Sequence, residues 1–393
     1  MLLVSSRSAT VEPFPAFSGR VKHETFGRLT NAILNGPLVR LGFNLRRVFS
    51  WFWFEMQILR SFREIRRWKP DVIVVSSLSL LTFLTGTILK KYLRVPLVVE
   101  VRDVYPLTLI EVGGFSRWHP GVIFLGWIEK LGYRNADAIT SSLPNLGPHI
   151  EDRIGQRKPV TYLPMGYSQE FFEDLTPSAK AVDSLRKIGQ FKGTFSVGYC
   201  GNIGLANALV EPLEAFFSLA DELPDAHFWI VGDGPMRSKY ESKFGSAPNI
   251  HFLGRHPKSD MPHLLETFDI VINPWIDKPI YRFGVSPNKW IDYMFAAKPI
   301  LVPYNGHPFL IEDEEIGWFI QPQNREAFRE AIVDLYKLSR DELEGKGLNG
   351  KRYLEQQLSY DLLASRLHNL LKRLVKSEPI KSGGQENIST TSK

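Results

Sequence analysis

The stretch Tyr281–Val302, YRFGVSPNKWIDYMFAAKPILV, decides how this chain is read. Ser286 is a good N-cap and Pro287 fits the first helical position, so a helix is expected to begin there. The free N–H groups and dipole of a helix start form an anion site, and Asn288 and Lys289 stand in that first turn. Lys289 and Asp292 are spaced i, i+3 and share a face. Together they offer a cation for a phosphate and, one turn deeper, a carboxylate for a pair of sugar hydroxyls. The same spacing also suits an ordinary capped helix with an exposed Lys and Asp. Lys298-Pro299 and the apolar run Ile300–Val302 then complete an αβ unit.

The alternation continues in both directions. Upstream lie the short apolar runs Asp71–Ser76, Pro96–Val101, Ala136–Ser141 and Val160–Pro164. A second series comprises Phe195–Cys200, Ala226–Val231, Asn249–Leu253, Phe268–Asn273, Pro299–Val302 and Gly317–Ile320. Continuous apolar runs separated by helical patterns are the mark of parallel sheets covered on both faces. The fold class is therefore α/β, with two doubly wound domains. Their expected bounds are 1–172 and 193–355, joined by the polar linker 173–192. An amphipathic helix over 356–376 is expected to pack back toward the first domain, and the polar tail 377–393 to be disordered. Ligands of open α/β sheets sit beyond the carboxyl ends of the strands, so the segments after each run are the places to search.

Two such segments stand out. Gly198-Tyr-Cys-Gly201-Asn202-Ile-Gly204 follows the first run of the second domain, and closely spaced glycines let backbone amides approach a phosphate. Gly232-Asp233-Gly234-Pro235 follows the run Ala226–Val231. Either one, taken singly, is equally a tight turn.

With the SPNK helix, these elements in this order resemble the C-terminal domain of family 4 retaining glycosyltransferases of the GT-B fold. The nearest likeness is to the branch of bacterial surface-polysaccharide enzymes similar to fucosamine transferases. Val99–Pro106 (VEVRDVYP), Tyr133–Ser142 (YRNADAITSS) and Leu163–Phe172 (LPMGYSQEFF) match the first domain of that branch. The resemblance implies two Rossmann-like domains facing across a cleft. It implies that Asp292 binds the ribose of a nucleotide sugar, with Ser286, Pro287, Asn288 and Lys289 near the donor diphosphate. Gly201, Asn202 and Gly204 match the glycine loop facing that diphosphate, and Gly232, Asp233 and Gly234 the neighbouring turn. Arg102 stands where many members carry a His at the donor sugar, followed by Asp103. Charge developing on a departing diphosphate calls for preorganised N–H groups and cations, so no dedicated metal or other cofactor is expected.

The departures from the family pattern are also specific. Gly284 replaces the usual Glu eight residues before Asp292, and Asn202, Ala206 and Asn207 stand where relatives carry an Arg/Lys pair. Arg282 and Lys289 are expected to substitute as catalytic cations, beside Arg102 and Asp103. Met1–Ser6 reads as the family's second strand, so the first β–α unit is expected to be missing.

Composition removes several other classes. One cysteine, Cys200, excludes a disulfide framework and a Cys-cluster zinc site. No leader pattern and no run of about 18 apolar residues is present, so a cytoplasmic location is expected. Gly345–Arg352 nearly spells a phosphate-binding loop, but Arg352 replaces its hydroxyl residue and no strand precedes it. The spacing D-x-D is absent from the sequence, and His251, His256 and His263 lack a ligand pattern.

Charge is concentrated rather than spread. Eight basic residues against two acidic ones lie between Arg40 and Lys69, a surplus equal to the net +6 of all 393 residues. Leu41, Leu45, Val48, Phe49, Phe52, Met56 and Leu59 recur there at helical spacing, a stripe that fits a core. Trp51, Trp53 and Phe54 lie beyond it, flanked by Arg46, Arg47, Arg60 and Arg67, which suits an interfacial helix on an anionic leaflet. No nucleic-acid-binding module accompanies this composition. The expected protein is a retaining glycosyltransferase, peripheral on the inner membrane face. Its expected donor is a UDP-sugar and its acceptor a lipid-linked saccharide in polysaccharide or O-antigen synthesis. The alternatives are a UDP-N-acetylglucosamine 2-epimerase of the same fold and a truncated, non-catalytic binding protein.

Overall fold

Thirteen strands appear in the computed structural model, which describes residues 1–6, 17–37, 45–77, 79–173 and 175–376. The chain divides into two units: Met1–Ser141 with Leu146–Tyr162 and the segment from His368, and Ser142–Asn145 with Leu163–Leu367.

In the first unit, β1 (Leu2–Ser6) pairs in parallel with β3 (Leu29–Leu34), and β2 (Val21–Phe26) pairs antiparallel with β3. A separate sheet holds β4 (Ile73–Ser76), β5 (Leu97–Val101), β6 (Ala138–Ser141) and β7 (Val160–Tyr162), all parallel and in chain order. Within this sheet the strand order follows the chain and does not reverse. Leu97, Val98 and Val99 are fully buried. Under that sheet Glu129, itself sealed from solvent, accepts from Arg153 Nε at 2.6 Å and pairs with His149 Nε2 at 2.5 Å. The last helix, Tyr360–Val375, brings Leu370 against Val98 and Ala138.

The second unit has one six-stranded parallel sheet: β8 (Phe195–Cys200), β9 (Ala226–Val231), β10 (Ile250–Gly254), β11 (Ile270–Ile272), β12 (Ile300–Pro303) and β13 (Gly317–Ile320). The order β10-β9-β8-β11-β12-β13 is doubly wound, with its reversal between β8 and β11. Every residue of β9 is buried, as a strand covered on both faces requires. One face carries Trp229, Val271, Tyr293 and Val302, and the other Tyr199, Phe216, Phe228 and Leu301. The runs read as strands in the sequence all form strands within two residues of their expected ends.

Two segments differ from their sequence reading. The polar stretch 173–192 carries the helix Ala179–Gly189, started by Ser178, whose Oγ accepts from Ala181 N and whose own N–H donates to the buried Asp260. Helix Leu45–Arg60 is turned against its own pattern: Phe49 is 58% exposed and Phe52 and Met56 each 49%, while Glu55 and Gln57 are buried. Phe49, Phe52 and Met56 of the stripe therefore face outward, while Val48 and Leu59 are half-buried. Arg40 and Leu41, like the tail 377–393, lie outside the described residues.

Candidate active site

The carboxyl ends of β8, β9 and β11 meet beside the point where the strand order reverses. A single hydroxyl spans that point. Tyr293 Oη accepts from Cys200 N at 3.1 Å and lies 3.3 Å from the carbonyl oxygens of Cys200 and Ile272. The two strand ends are thus tied to the helix that carries Tyr293, Asn288–Phe295.

The glycines of the two loops are needed for close packing. A Cβ on Gly232 would sit 1.8 Å from Gly201 O, and one on Gly201 would sit 2.3 Å from Lys289 Cε. Gly201 N–H donates to Val231 O, Gly232 N–H to Gly254 O and Ile203 N–H to Asp233 O, at 2.8–2.9 Å. These amides are consumed in joining the loops, so the glycines at 201 and 232 act by letting other groups come near. Gly234, where a Cβ would be 2.5 Å from Ile203 O, and Gly204, where it would be 2.7 Å from Asn202 Nδ2, extend the same tight contact. Asp233 Oδ1 accepts from Gly234 N at 2.9 Å.

The helix begins one residue later than its sequence suggests. Pro287 holds the cap position with extended backbone (φ −79°, ψ 132°), and the first helical residue is Asn288. Ser286 does not cap: its Oγ accepts from Met165 N at 3.4 Å. Pro287, lacking an N–H and fixed in φ, sits comfortably as the last extended residue.

Lys289 lies over Gly201 with its ammonium 4.3 Å from the centre of the Tyr199 ring. Nζ donates to Tyr199 Oη at 2.9 Å and to Asn207 Oδ1 at 3.0 Å, both neutral partners. Burial pushes this ammonium down to about 8. Tyr199 Oη passes the chain on, donating to Asn202 O at 2.6 Å. Three residues further along the helix, the Asp292 carboxyl is 15% exposed, and Lys258 Nζ lies 3.3 Å from its Oδ1. Burial raises the pKa of Asp292, and Lys258 works against that rise.

Arg282 precedes this helix and makes local contacts. It sits in the short 3-10 turn Pro279–Phe283, donates to Pro279 O, and stacks its guanidinium 4.4 Å from the Phe283 ring centre. Gly284 has a positive φ of 86°, and a Cβ there would press on Pro144 at 2.4 Å, so the family's Glu has no room in this backbone. Arg102 and Asp103 belong to the first unit and follow β5, where Arg102 N–H donates to Ser77 Oγ at 2.8 Å.

The structure therefore brings Gly201, Asn202, Gly204, Gly232, Asp233, Gly234 and Lys289 into one contiguous arrangement, with Asp292 on the same helix. Sequence reasoning missed Tyr199 and Lys258, and it treated Asn207 only as a lost cation. The hydroxyl of Tyr199 inside an otherwise apolar run was the available signal. Lys258 reaches Asp292 from a distant turn, and nothing periodic marks it. The three histidines have other partners: His251 pairs with His227 at 3.1 Å, His256 with Asp260 at 3.0 Å, and His263 Nε2 lies 2.8 Å from Leu175 O.

Known proteins share this fold. Residues 28–166 match the family described as glycosyl transferase 4-like domain, and residues 194–338 match glycosyl transferases group 1. Over 306 residues the chain is 21% identical to the probable glycosyltransferase WbjE of Pseudomonas aeruginosa, covering 77% of this chain and 74% of that protein. The structure of Anabaena HepE in complex with UDP is similar, with a TM-score of 0.62 at 15% identity over 86% of each chain. Sucrose-phosphate synthase of Thermosynechococcus elongatus gives a TM-score of 0.70 at 15% identity, over 96% of this chain and 89% of its own. The likeness to both structures is one of fold.

Proposed function

We propose that this chain, a glycosyltransferase of the GT-B fold, moves a sugar from a UDP-sugar donor to a lipid-linked saccharide with retention at the anomeric carbon. The observation that carries this reading is Lys289, a half-buried cation on neutral partners at the topological switch of the sheet, one turn from Asp292. Such a cation is ready for an anion: burial lowers its pKa, and a diphosphate beside it raises the pKa again and is held by the same energy. Asp292 is proposed to accept from the ribose hydroxyls. Asn288 and the open helix start are proposed to complete the diphosphate site.

As the bond between the anomeric carbon and the diphosphate breaks, negative charge collects on the leaving oxygens. Lys289, supplemented by Arg282, is proposed to stabilise it in place of a bound metal, while the acceptor hydroxyl attacks from the face the diphosphate leaves and gives its proton to a departing phosphate oxygen. Arg102 and Asp103 are proposed to act on turnover and not on nucleotide affinity. HepE, which holds UDP in its crystal structure, supports the choice of nucleotide.

The acceptor side of the reading is supported by helix Leu45–Arg60. Its outward Phe49, Phe52 and Met56 stand beside exposed Arg46 and Arg60, with Arg63, Arg66 and Arg67 exposed just after it. Each basic residue near an anionic leaflet contributes about 1 kcal/mol, which suits a peripheral enzyme working on a membrane-held acceptor in surface-polysaccharide or O-antigen synthesis. Among the described residues, no helix is long and apolar enough to cross a membrane.

Titration calorimetry with UDP tests the reading. Micromolar binding that persists in a chelator is expected, and no UDP binding would overturn it. Conversion of UDP-N-acetylglucosamine to its 2-epimer without acceptor would replace it with the epimerase reading.

A further inference from the structure

The turn that carries Lys258 is fastened by a buried group with no part in the site described so far. Asp260 Oδ2 accepts from Ser178 Oγ at 2.7 Å and pairs with His256 Nδ1 at 3.0 Å, while Asp260 Oδ1 accepts from Ser178 N at 2.9 Å. His256 Nε2 lies 3.2 Å from Ser184 Oγ. Ser184, His256 and Asp260 have the connectivity of a hydrolytic triad, yet the side chains of His256 and Asp260 are completely sealed from solvent. No substrate reaches them. Sealed polar groups with every partner in place rigidify what they hold, and what these hold is the 3-10 turn Lys258–Asp260.

The product of that rigidity is a single contact. Lys258 Nζ stands 3.3 Å from Asp292 Oδ1, with the lysine side chain 69% exposed and the carboxyl 15% exposed. We propose that Lys258 is a positioning residue for the donor's ribose, keeping Asp292 ionised and aimed so that both carboxylate oxygens accept from the ribose hydroxyls. This rests on the reading of Asp292 as the ribose ligand. Only the ionised form is a pure acceptor, and a carboxyl pushed toward its neutral form by burial loses that capacity. A mostly exposed lysine on a fixed turn supplies the charge without a tight bond, since exposed ion pairs are weak and readily opened.

The other charges around Asp292 do not replace it. Lys289 on the same helix is turned to Tyr199 and Asn207. Cys200 and Tyr293, both buried, have their acid groups pushed further up by Asp292 itself. On the neighbouring helix Met261–Glu266, His263 is engaged with Leu175 O and Glu266 O accepts from Lys298. From helix Arg340–Gln357, Lys351 lies over the Phe295 ring, 5.7 Å from its centre.

The test is UDP affinity by calorimetry from pH 5 to 8.5 for the wild type, Lys258→Met, Lys258→Arg and Asp292→Asn. Lys258→Met should bind about threefold to fivefold more weakly than wild type toward pH 5 and within about twofold at pH 8.5, because without the ammonium burial holds the proton on Asp292 to higher pH. Lys258→Arg should follow the wild type, and Asp292→Asn should be weak at every pH. A Lys258→Met profile that superimposes on the wild type, with Asp292→Asn still weak, overturns the role of Lys258 alone. If Asp292→Asn binds as wild type does, the ribose reading falls and this proposal falls with it.

Discussion

Two helices of this chain treat their own amphipathic pattern in opposite ways. Asn288–Phe295 buries Trp290, Ile291, Tyr293 and Met294 and turns Asn288 and half-buried Lys289 and Asp292 away from the core. Leu45–Arg60 buries Glu55 and Gln57 and exposes Phe49, Phe52 and Met56. The first is an element whose fold and chemistry agree, since the packing that secures it also aims its charged pair. The second meets its own unit through other residues, Trp53 Nε1 donating to Asn35 O at 3.2 Å, and leaves those three apolar side chains outside. An outward apolar face flanked by arginine gains stability only when something outside the chain covers it. A site can thus be built from the packing of its own domain, whereas a docking face is recognisable by its conflict with that packing.

The comparison breaks most sharply at Lys289. Lys289→Ala is expected to lower turnover by about 100-fold or more, the usual cost of removing one stabilising donor at a developing anion. It should keep the fold, because Lys289 belongs to neither apolar core of its unit, although its hydrogen bonds to Tyr199 and Asn207 are lost. Arg282→Ala should also reduce turnover, and unchanged activity in both variants would end the substitution idea. The lowered pKa of Lys289 adds a sign. With the ammonium pushed down to about 8, UDP affinity should hold from pH 6 to 7.5 and decline by up to about tenfold per unit above 8, since binding then has to take up a proton. Calorimetry in buffers of different ionisation enthalpy reads that proton uptake directly.

The proposed docking face should fail in the complementary way. Changing Arg46, Arg47, Arg60 and Arg67 to Glu is expected to reduce binding to anionic vesicles by about 30-fold or more, about half of what four basic residues at up to ~1 kcal/mol each can contribute. UDP affinity should be untouched. Equal loss of both, or vesicle binding that survives, would show that this helix is not the membrane contact.

Much of the second unit was legible because its strands are buried on both faces and its loops need glycine, two constraints that act residue by residue. The runs ending at Cys200 and Val231 and the helix after Ser286 fall where composition puts them. What could not be read depends on contacts distant in sequence. Lys258 reaches Asp292, Asn207 accepts from Lys289, and the cap moves from Ser286 to Pro287 because Met165 engages the serine. The stretch 173–192 looked like a linker because polar residues dominate it. Its Ser178 instead meets Asp260, a buried carboxylate 82 positions away. The outward stripe of Leu45–Arg60 was hidden for a related reason: periodicity shows that a face exists but not which way it points.

The smallest expected effect concerns the cost of that inverted helix, and it sits at Glu55. Burial pushes this carboxyl up to about 7 from an ordinary 4.5, with the Thr85 hydroxyl working against the rise. Between those two values the folded chain retains a proton that the unfolded chain has released, so stability falls as pH rises. The contribution is complete below about 4.5 and lost by the time pH passes 7. Glu55→Gln, which stays neutral, should therefore match the wild type near pH 4.5 and exceed it at pH 8. The gain is bounded by the 2.5-unit shift at about 3 kcal/mol, and half of that would raise Tm by about 3–6 °C. Melting curves at the two pH values measure the difference. A Tm gap that does not depend on pH would mean that Glu55 is already neutralised by a partner, and the helix would then bear no such cost for facing outward.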